Sequence, residues 1–208
     1  MMNFAVIRRD DCYYVDKTRF IPMIEEADQF IFFIRPRRFG KSLTVNMLQH
    51  YYDILAKDKF EALFGDLYIG KHPTRDRNSY LVLYLNFSGI VGELHNYRKG
   101  LDAHCQTMFD YFCDIYADYL PKGIKEELDK KEGAVEQFEY LFTERNKTNQ
   151  RIYLFIDEYD HFTNAILSDI ESLHRYTDET HGDGYLRAII NKIKAGTYSS
   201  IERCSSPA

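Results

Sequence analysis

No run of apolar residues in this sequence is long enough to cross a bilayer. The N-terminal MMNFAVIRRDDCYY also lacks the apolar stretch of a secretion signal. The four cysteines, Cys12, Cys105, Cys113 and Cys204, form no CxxC pair and no other metal-ligand spacing. They read as reduced, mostly buried thiols. Positive charge is not in excess either. With 27 Lys and Arg against 32 Asp and Glu, the net charge is −5, which argues against holding a long polyanion by overall charge. Internal repeats and low-complexity segments are missing. These absences together predict a soluble, cytoplasmic chain with no membrane partner.

What is present is aromatic and apolar. Tryptophan is absent, but 17 Tyr and 15 Phe sit in a chain of 208 residues that is 45% hydrophobic. That composition folds, and that length supports one domain with a real core. Against the acidic background, Arg35, Arg37, Arg38 and Lys41 fall in one short loop. Cations concentrated so locally suit a compact anionic ligand.

The loop sits between two distinct patterns. Before it, QFIFFI is a short apolar run typical of a buried strand. After it, Leu43, Met47, Leu48, Tyr51 and Leu55 recur at three- and four-residue steps, as on one side of a helix. Between them, Gly40, Lys41 and Ser42 form the closing half of a phosphate-binding P-loop. In such a loop, backbone N–H groups and the helix N-terminus face the phosphates. The lysine reaches the β and γ oxygens, and the hydroxyl ligates Mg2+. Glycine at position 40 lets the backbone approach. The motif's opening glycine is replaced by Arg35, and Pro36 has no N–H to offer. A basic surface turn before an ordinary helix is the competing reading.

Along the chain, residues 19–26 predict a short helix capped by Asp16 or Thr18. The segment reads either as a plain cap or as a flap over a nucleotide base. Strands are predicted at 30–34, 81–87 and 152–156, and helices at 43–55, 59–67, 93–120, 125–131, 135–145, 162–170 and 185–194. Ala195-Gly196 is expected to stop the last helix. Leu94, Tyr97, Leu101, Met108, Phe112, Ile115 and Tyr119 make a helical stripe that reads as core. Residues 93–148 thus form a helical segment within one domain spanning 1–208. Strands alternating with helices predict an α/β fold with a parallel sheet.

The apolar IYLFI ends in Asp157, Glu158, Tyr159 and Asp160. A carboxylate at the C-terminal tip of a buried parallel strand lies where such sheets bind ligands. In P-loop proteins that aspartate holds Mg2+, the role expected of Asp157. Glu158 beside it is placed to orient and deprotonate an attacking water. The alternative is that Asp157 or Asp160 caps the next helix. His161 reads as a helix-start or surface group. Arg37 and Arg38 either contact phosphates or are held by acidic neighbours.

YYVDKTRFI, FIRPRRFGKSLTVNML, LVLYLNFSGI and IYLFIDEYD, in this order, resemble the AAA-ATPase-like family of prokaryotic P-loop proteins. Members often carry a PD-(D/E)XK nuclease-like domain after the ATPase. In that family RPRRFGKS is a hallmark, so the arginine at the first glycine position follows family practice. The resemblance implies ATP and Mg2+ as ligands. It implies contacts to ATP from Arg37, Arg38, Phe39, Gly40, Lys41, Ser42 and Leu43, with Mg2+ on Ser42 and Asp157, and Lys41 and Glu158 in catalytic roles.

After KAGTYSSIER the family pattern continues into an apolar sensor strand, which here gives way to residues 204–208. The expectation is a C-terminally truncated domain lacking that strand, between the P-loop strand and the acidic strand, and lacking the nuclease-like domain. Unpaired backbone groups would then be left inside the sheet. The first functional reading is an ATP-binding and ATP-hydrolysing domain. A nucleotide-holding regulatory or interaction module without turnover stands beside it, and a small-molecule P-loop kinase stands behind both. A homo-oligomer is compatible with each, and nucleic acid enters as a partner only through the absent nuclease-like domain.

Overall fold

The computed structural model describes residues 3–27, 30–32, 39–89, 97–158, 185–197 and 201–206. Helix α1 (Phe4–Arg9) opens with Asn3, whose side chain accepts from the Ala5 and Val6 amides, satisfying two of the first-turn donors. A 3-10 turn at Thr18–Phe20 runs into α2 (Ile21–Glu26). Strand β1 (Phe30–Phe32) precedes α3 (Lys41–Tyr52). After a 3-10 segment (Ile54–Lys59) come α4 (Phe60–Phe64), α5 (Tyr68–Lys71) and β2 (Tyr80–Asn86). Helices α6 (Tyr97–Ile115), α7 (Ile124–Leu128) and α8 (Gly133–Arg145) lead to β3 (Arg151–Asp157). The described chain closes with α9 (Tyr185–Thr197) and β4 (Ile201–Ser206).

The strands form one parallel sheet in the order β1-β4-β3-β2. This overturns the expectation that the place between the P-loop strand and the acidic strand is empty. Strand β4 fills it, pairing Cys204 with Phe30 on one side and with Leu154 on the other. The reason lies in the backbone. Two facing rows of N–H and C=O groups are satisfied by any extended segment, and IERCSS serves although its polar side chains are unlike the apolar run typical of an inner strand. The pairing is irregular at one point, a register shift between Ile152 and Tyr153.

Alternation along the strands sends side chains to two separate cores. Leu81, Leu83, Leu85, Ile152, Leu154 and Ile156 pack against α6, α8 and α9 through Leu101, Cys105, Phe109, Phe138, Leu141, Ile189 and Ile193. Tyr80, Tyr153 and Phe155 point the other way, against α1, α3 and α4 through Phe4, Leu48, Tyr51, Tyr52 and Phe64. Of the stripe expected on α6, Leu101 and Phe112 are central, while Met108, Ile115 and Tyr119 are only partly buried around it. The seam itself includes Cys105, Phe109, Cys113 and Tyr116. Burial pushes the Cys105 and Cys113 thiols up to about 12, so they behave as small core residues. Among the described residues, no helix is long and apolar enough to cross a membrane.

Two boundaries differ from the sequence-based expectation for reasons that the packing shows. Helix α3 stops at Tyr52, because Asn78, itself at φ +47°, takes up the chain there. Its amide donates to Tyr51 O (2.9 Å) and its Nδ2 to Asp53 O (2.8 Å). Leu55 is therefore 43% exposed and outside the stripe assigned to it. Helix α9 runs through Ala195-Gly196 instead of ending there. A Cβ on Gly196 would lie 2.5 Å from the Phe142 ring, so this glycine allows α9 to approach α8 closely. The expected helix at 162–170 and strand residues 33–34 lie outside the described residues.

Strand β2 is the outer strand of the described sheet, and its free edge is covered. The Val82 amide donates to the Tyr116 hydroxyl (3.0 Å), which in turn donates to Asp53 Oδ1 (2.8 Å). Asp53 also bridges to Tyr80. An edge N–H that would otherwise face another chain is thereby satisfied.

Candidate functional site

The residue that opens α3 is Gly40, at φ +76°. This left-handed conformation is one that L side chains seldom adopt. Among the described residues a Cβ there would meet nothing within 4 Å, so the glycine is required first by its backbone angle. The first turn is closed on Gly40 O by the Thr44 amide (2.9 Å) and the Thr44 hydroxyl (3.0 Å). The N-cap position is a glycine, which has no side chain to cap the helix, and the first turn carries no acid. The leading N–H groups of a helix have no intrahelical partner, and the dipole makes this end attractive to an anion. Lys41, Ser42 and Leu43 stand in that first turn, each half-buried, and Phe39 before them is exposed. Arg35, Arg37 and Arg38 lie outside the described residues.

Asp157, the last residue of β3, is fully buried. Its Oδ1 accepts from the Glu158 amide (2.9 Å) and its Oδ2 from the Tyr84 hydroxyl (3.1 Å). Among the described residues no ion pair to it is present. A buried carboxylate held only by neutral donors is well suited to a cation. Glu158 follows at φ +56°. A non-glycine residue held there costs energy and is often found where function demands it. Tyr159, Asp160 and His161 lie outside the described residues.

The two halves lie toward one end of the sheet. At its C-terminus, α3 is fixed by Tyr52, whose ring stacks on Tyr153 (4.7 Å) and stands edge-on to Tyr80 (5.6 Å), both near the starts of their strands. Helix α3 therefore runs back along the sheet with its N-terminus toward the strand tips. The eleven steps from Tyr52 to Lys41 cover about 16 Å, and the four from Tyr153 to Asp157 about 13 Å. Asp157 projects from the same sheet face as Tyr153 and Phe155, the face that α3 covers. Helix α3 thus covers the sheet face that carries Asp157, with its C-terminal end at the strand starts and its N-terminal end, with Lys41 and Ser42, toward the opposite edge.

Two further groups belong to this constellation and were not anticipated. Asn86 is the register partner of Asp157 on β2, and its Nδ2 donates to the Tyr84 hydroxyl (3.1 Å). Burial and the nearby Asp157 carboxylate raise the Tyr84 phenol above its ordinary value. The signal was available in LVLYLNF: on a buried strand the polar Asn86 and Tyr84 fall on one face by alternation.

Beside the α3 N-terminus lies an apolar cavity of about 290 Å3. Phe20, Ile21, Met23, Ile24 and Ala27 line it from the α2 side, and Ile31, Thr44 and Met47 from the other. Of the two readings of the Asp16–Thr18 segment, the local one has its bonds here: Asp16 holds Thr18 at the 3-10 turn, while α2 itself begins without a side-chain cap. Asp16 Oδ1 accepts from the Thr18 amide (2.8 Å) and hydroxyl (2.7 Å), while its Oδ2 accepts from the Tyr68 amide (2.8 Å). Those bonds tie the start of α2 to α5, and Lys17 lines the cavity.

A family profile described as "Predicted AAA-ATPase" matches residues 1–205. A protein of Azotobacter chroococcum mcd 1, named "Uncharacterized protein in vnfD 5'region", is 47% identical over 161 residues. That match takes in 77% of this chain and 28% of the relative, so the chain spans well under a third of the relative's length. No solved structure matches significantly.

Proposed function

The chain belongs to the AAA-ATPase-like family of predicted AAA-ATPases, and from that premise we propose that it binds ATP at the α3 N-terminus and hydrolyses it. One observation supports this most directly. The acid-free N-terminal turn of α3 and the buried Asp157 carboxylate lie toward one end and one face of a parallel sheet. Among the described residues, open space at Gly40 leaves room for phosphate oxygens to approach the backbone. The donor set also fits a hard cation: a hydroxyl from Ser42 and a carboxylate from Asp157 would hold Mg2+. When bound, that ion offsets charge on the triphosphate.

The protein's own groups would act as follows. Backbone N–H groups of α3 donate to the phosphate oxygens, and the Lys41 ammonium meets the β and γ oxygens. The carboxylate of Glu158 orients a water and takes its proton as that water attacks the γ phosphorus. The bond to the bridging oxygen breaks, leaving ADP and phosphate. The apolar cavity beside Thr44 takes the purine ring, and apolar walls exclude water from it. The reading without turnover was motivated by a sheet missing its inner strand, and β4 fills that place.

ATP binding and phosphate release by the unaltered chain, Lys41→Ala and Glu158→Gln test the proposal. Lys41→Ala is expected to weaken ATP binding. Glu158→Gln is expected to bind normally and lose turnover by about 10²–10⁴-fold, the usual worth of a general base. Equal ATP affinity in all three proteins would sink the assignment of the phosphate site.

A further inference from the structure

A line of hydrogen bonds connects the tip of β2 to the carboxylate at the tip of β3. The Ser88 amide donates to Asn86 Oδ1 (2.9 Å), Asn86 Nδ2 donates to the Tyr84 hydroxyl (3.1 Å), and that hydroxyl donates to Asp157 Oδ2 (3.1 Å). Its polarity is determined at both ends. An ionised carboxylate only accepts, so the phenol must donate to it. The amide oxygen of Asn86 is taken by a backbone N–H, so its NH2 must face the phenol.

Asp157 and Asn86 stand opposite each other in register, while Tyr84 stands opposite Phe155. The phenol therefore reaches from its own rung to the next one on its face. That advance is about 6.6 Å, a span that serine or threonine cannot bridge.

We propose that Tyr84 is a positioning residue: through the Asn86–Tyr84–Asp157 relay it sets the orientation of the Asp157 carboxylate and so the affinity of the site for a divalent cation. The inference rests on Asp157 being the metal-holding carboxylate of the proposed function. With Oδ1 held by the Glu158 amide and Oδ2 by the phenol, rotation of the carboxylate is blocked from both sides. Loss of the phenolic hydroxyl releases one side. Groups that orient a metal ligand from behind typically contribute 10–100-fold to metal affinity.

Equilibrium binding of a non-hydrolysable ATP analogue, followed across an Mg2+ titration and in the absence of divalent cation, is the test. Tyr84→Phe is expected to raise the Mg2+ concentration for half-maximal binding by about tenfold or more, with metal-free affinity unchanged. Asn86→Ala is expected to move it the same way by a smaller factor. An Mg2+ requirement altered by Asp157→Asn but not by Tyr84→Phe would overturn the positioning role and leave the ATP site standing. No response to Asp157→Asn would instead overturn the metal role itself. An equal loss of metal-free and Mg2+-dependent binding in Tyr84→Phe would mark the phenol as purely structural. Should Tyr84→Phe not fold, Asn86→Ala decides: a raised Mg2+ requirement supports the relay, and an unchanged one overturns it.

Discussion

The rings of Tyr52 and Tyr153 stack at 4.7 Å with 23° between their planes, and this contact joins the end of α3 to the start of the acidic strand. Both rings are fully buried, and Tyr153 stacks in turn on Phe155 at 4.4 Å. The contact orients α3, so that its N-terminus faces the strand tips. Tyr153→Ala is expected to cost about 3–5 kcal/mol, as large aromatic truncations in a core do. Urea unfolding measures the loss, and an effect below about 1 kcal/mol would show that the stack does not anchor the helix.

Gly40 and Gly196 are needed for different reasons, and alanine separates them. At Gly40 the described residues leave the space open and, among them, only the backbone angle, φ +76°, opposes a side chain. Gly40→Ala should lose about 1–2 kcal/mol from left-handed strain. At Gly196 no positive φ is involved, and the Cβ would press on the Phe142 ring at 2.5 Å. Gly196→Ala should lose about 1–3 kcal/mol by overpacking. Trimming the ring as well, in Phe142→Leu, should relieve that loss in part, whereas the same change should do nothing for Gly40→Ala.

Asp53 carries its charge at a cost. Burial raises its carboxyl pKa, against hydrogen bonds from the Leu55 amide and Tyr116 hydroxyl that lower it. Both donors use Oδ1, which asparagine retains. A carboxyl raised on folding contributes stability that is full below its unfolded value near 4 and is lost as pH rises through the folded value. The stability of the unaltered protein relative to Asp53→Asn should therefore fall from pH 4 toward neutrality. Asp53→Ala leaves both donors unmet and should fall below Asp53→Asn by about 1–3 kcal/mol. Thermal unfolding of the three proteins at several pH values checks both statements.

Ala27 lines the apolar cavity from an exposed position at the end of α2. A bulky side chain there fills the cavity without disturbing a packed core. Ala27→Phe should lower ATP affinity by about tenfold or more, within the range that shape changes in an apolar pocket produce. Affinity for inorganic tripolyphosphate should stay as it was. If ATP affinity is also unchanged, the base does not occupy this cavity.

Much of this protein could be read from local chemistry. The apolar alternation of LVLYLNF, the unbroken IYLFI and the glycine before Lys41 predicted β2, β3 and the start of α3. Each signal is carried by a few neighbouring residues, and each residue has a strong intrinsic preference. Helix α9 continues through Gly196 to Thr197 because glycine's cost in a helix is only about 1 kcal/mol, and contact between α9 and α8 outweighs it. The roles of Tyr84 and Asn86 are not legible locally, because they lie in register with Asp157, across a separation of 73 residues for the phenol.

By itself the sequence determined the local elements, the separation of side chains onto two faces of each strand, and the family to which the chain belongs. Tertiary structure alone decided that the polar IERCSS would become an inner strand, because β1 and β3 offered it two rows of backbone partners that its side chains do not advertise. It also decided which end of α3 faces Asp157, since that direction depends on the distant stacking of Tyr52 on Tyr153 and on no local preference.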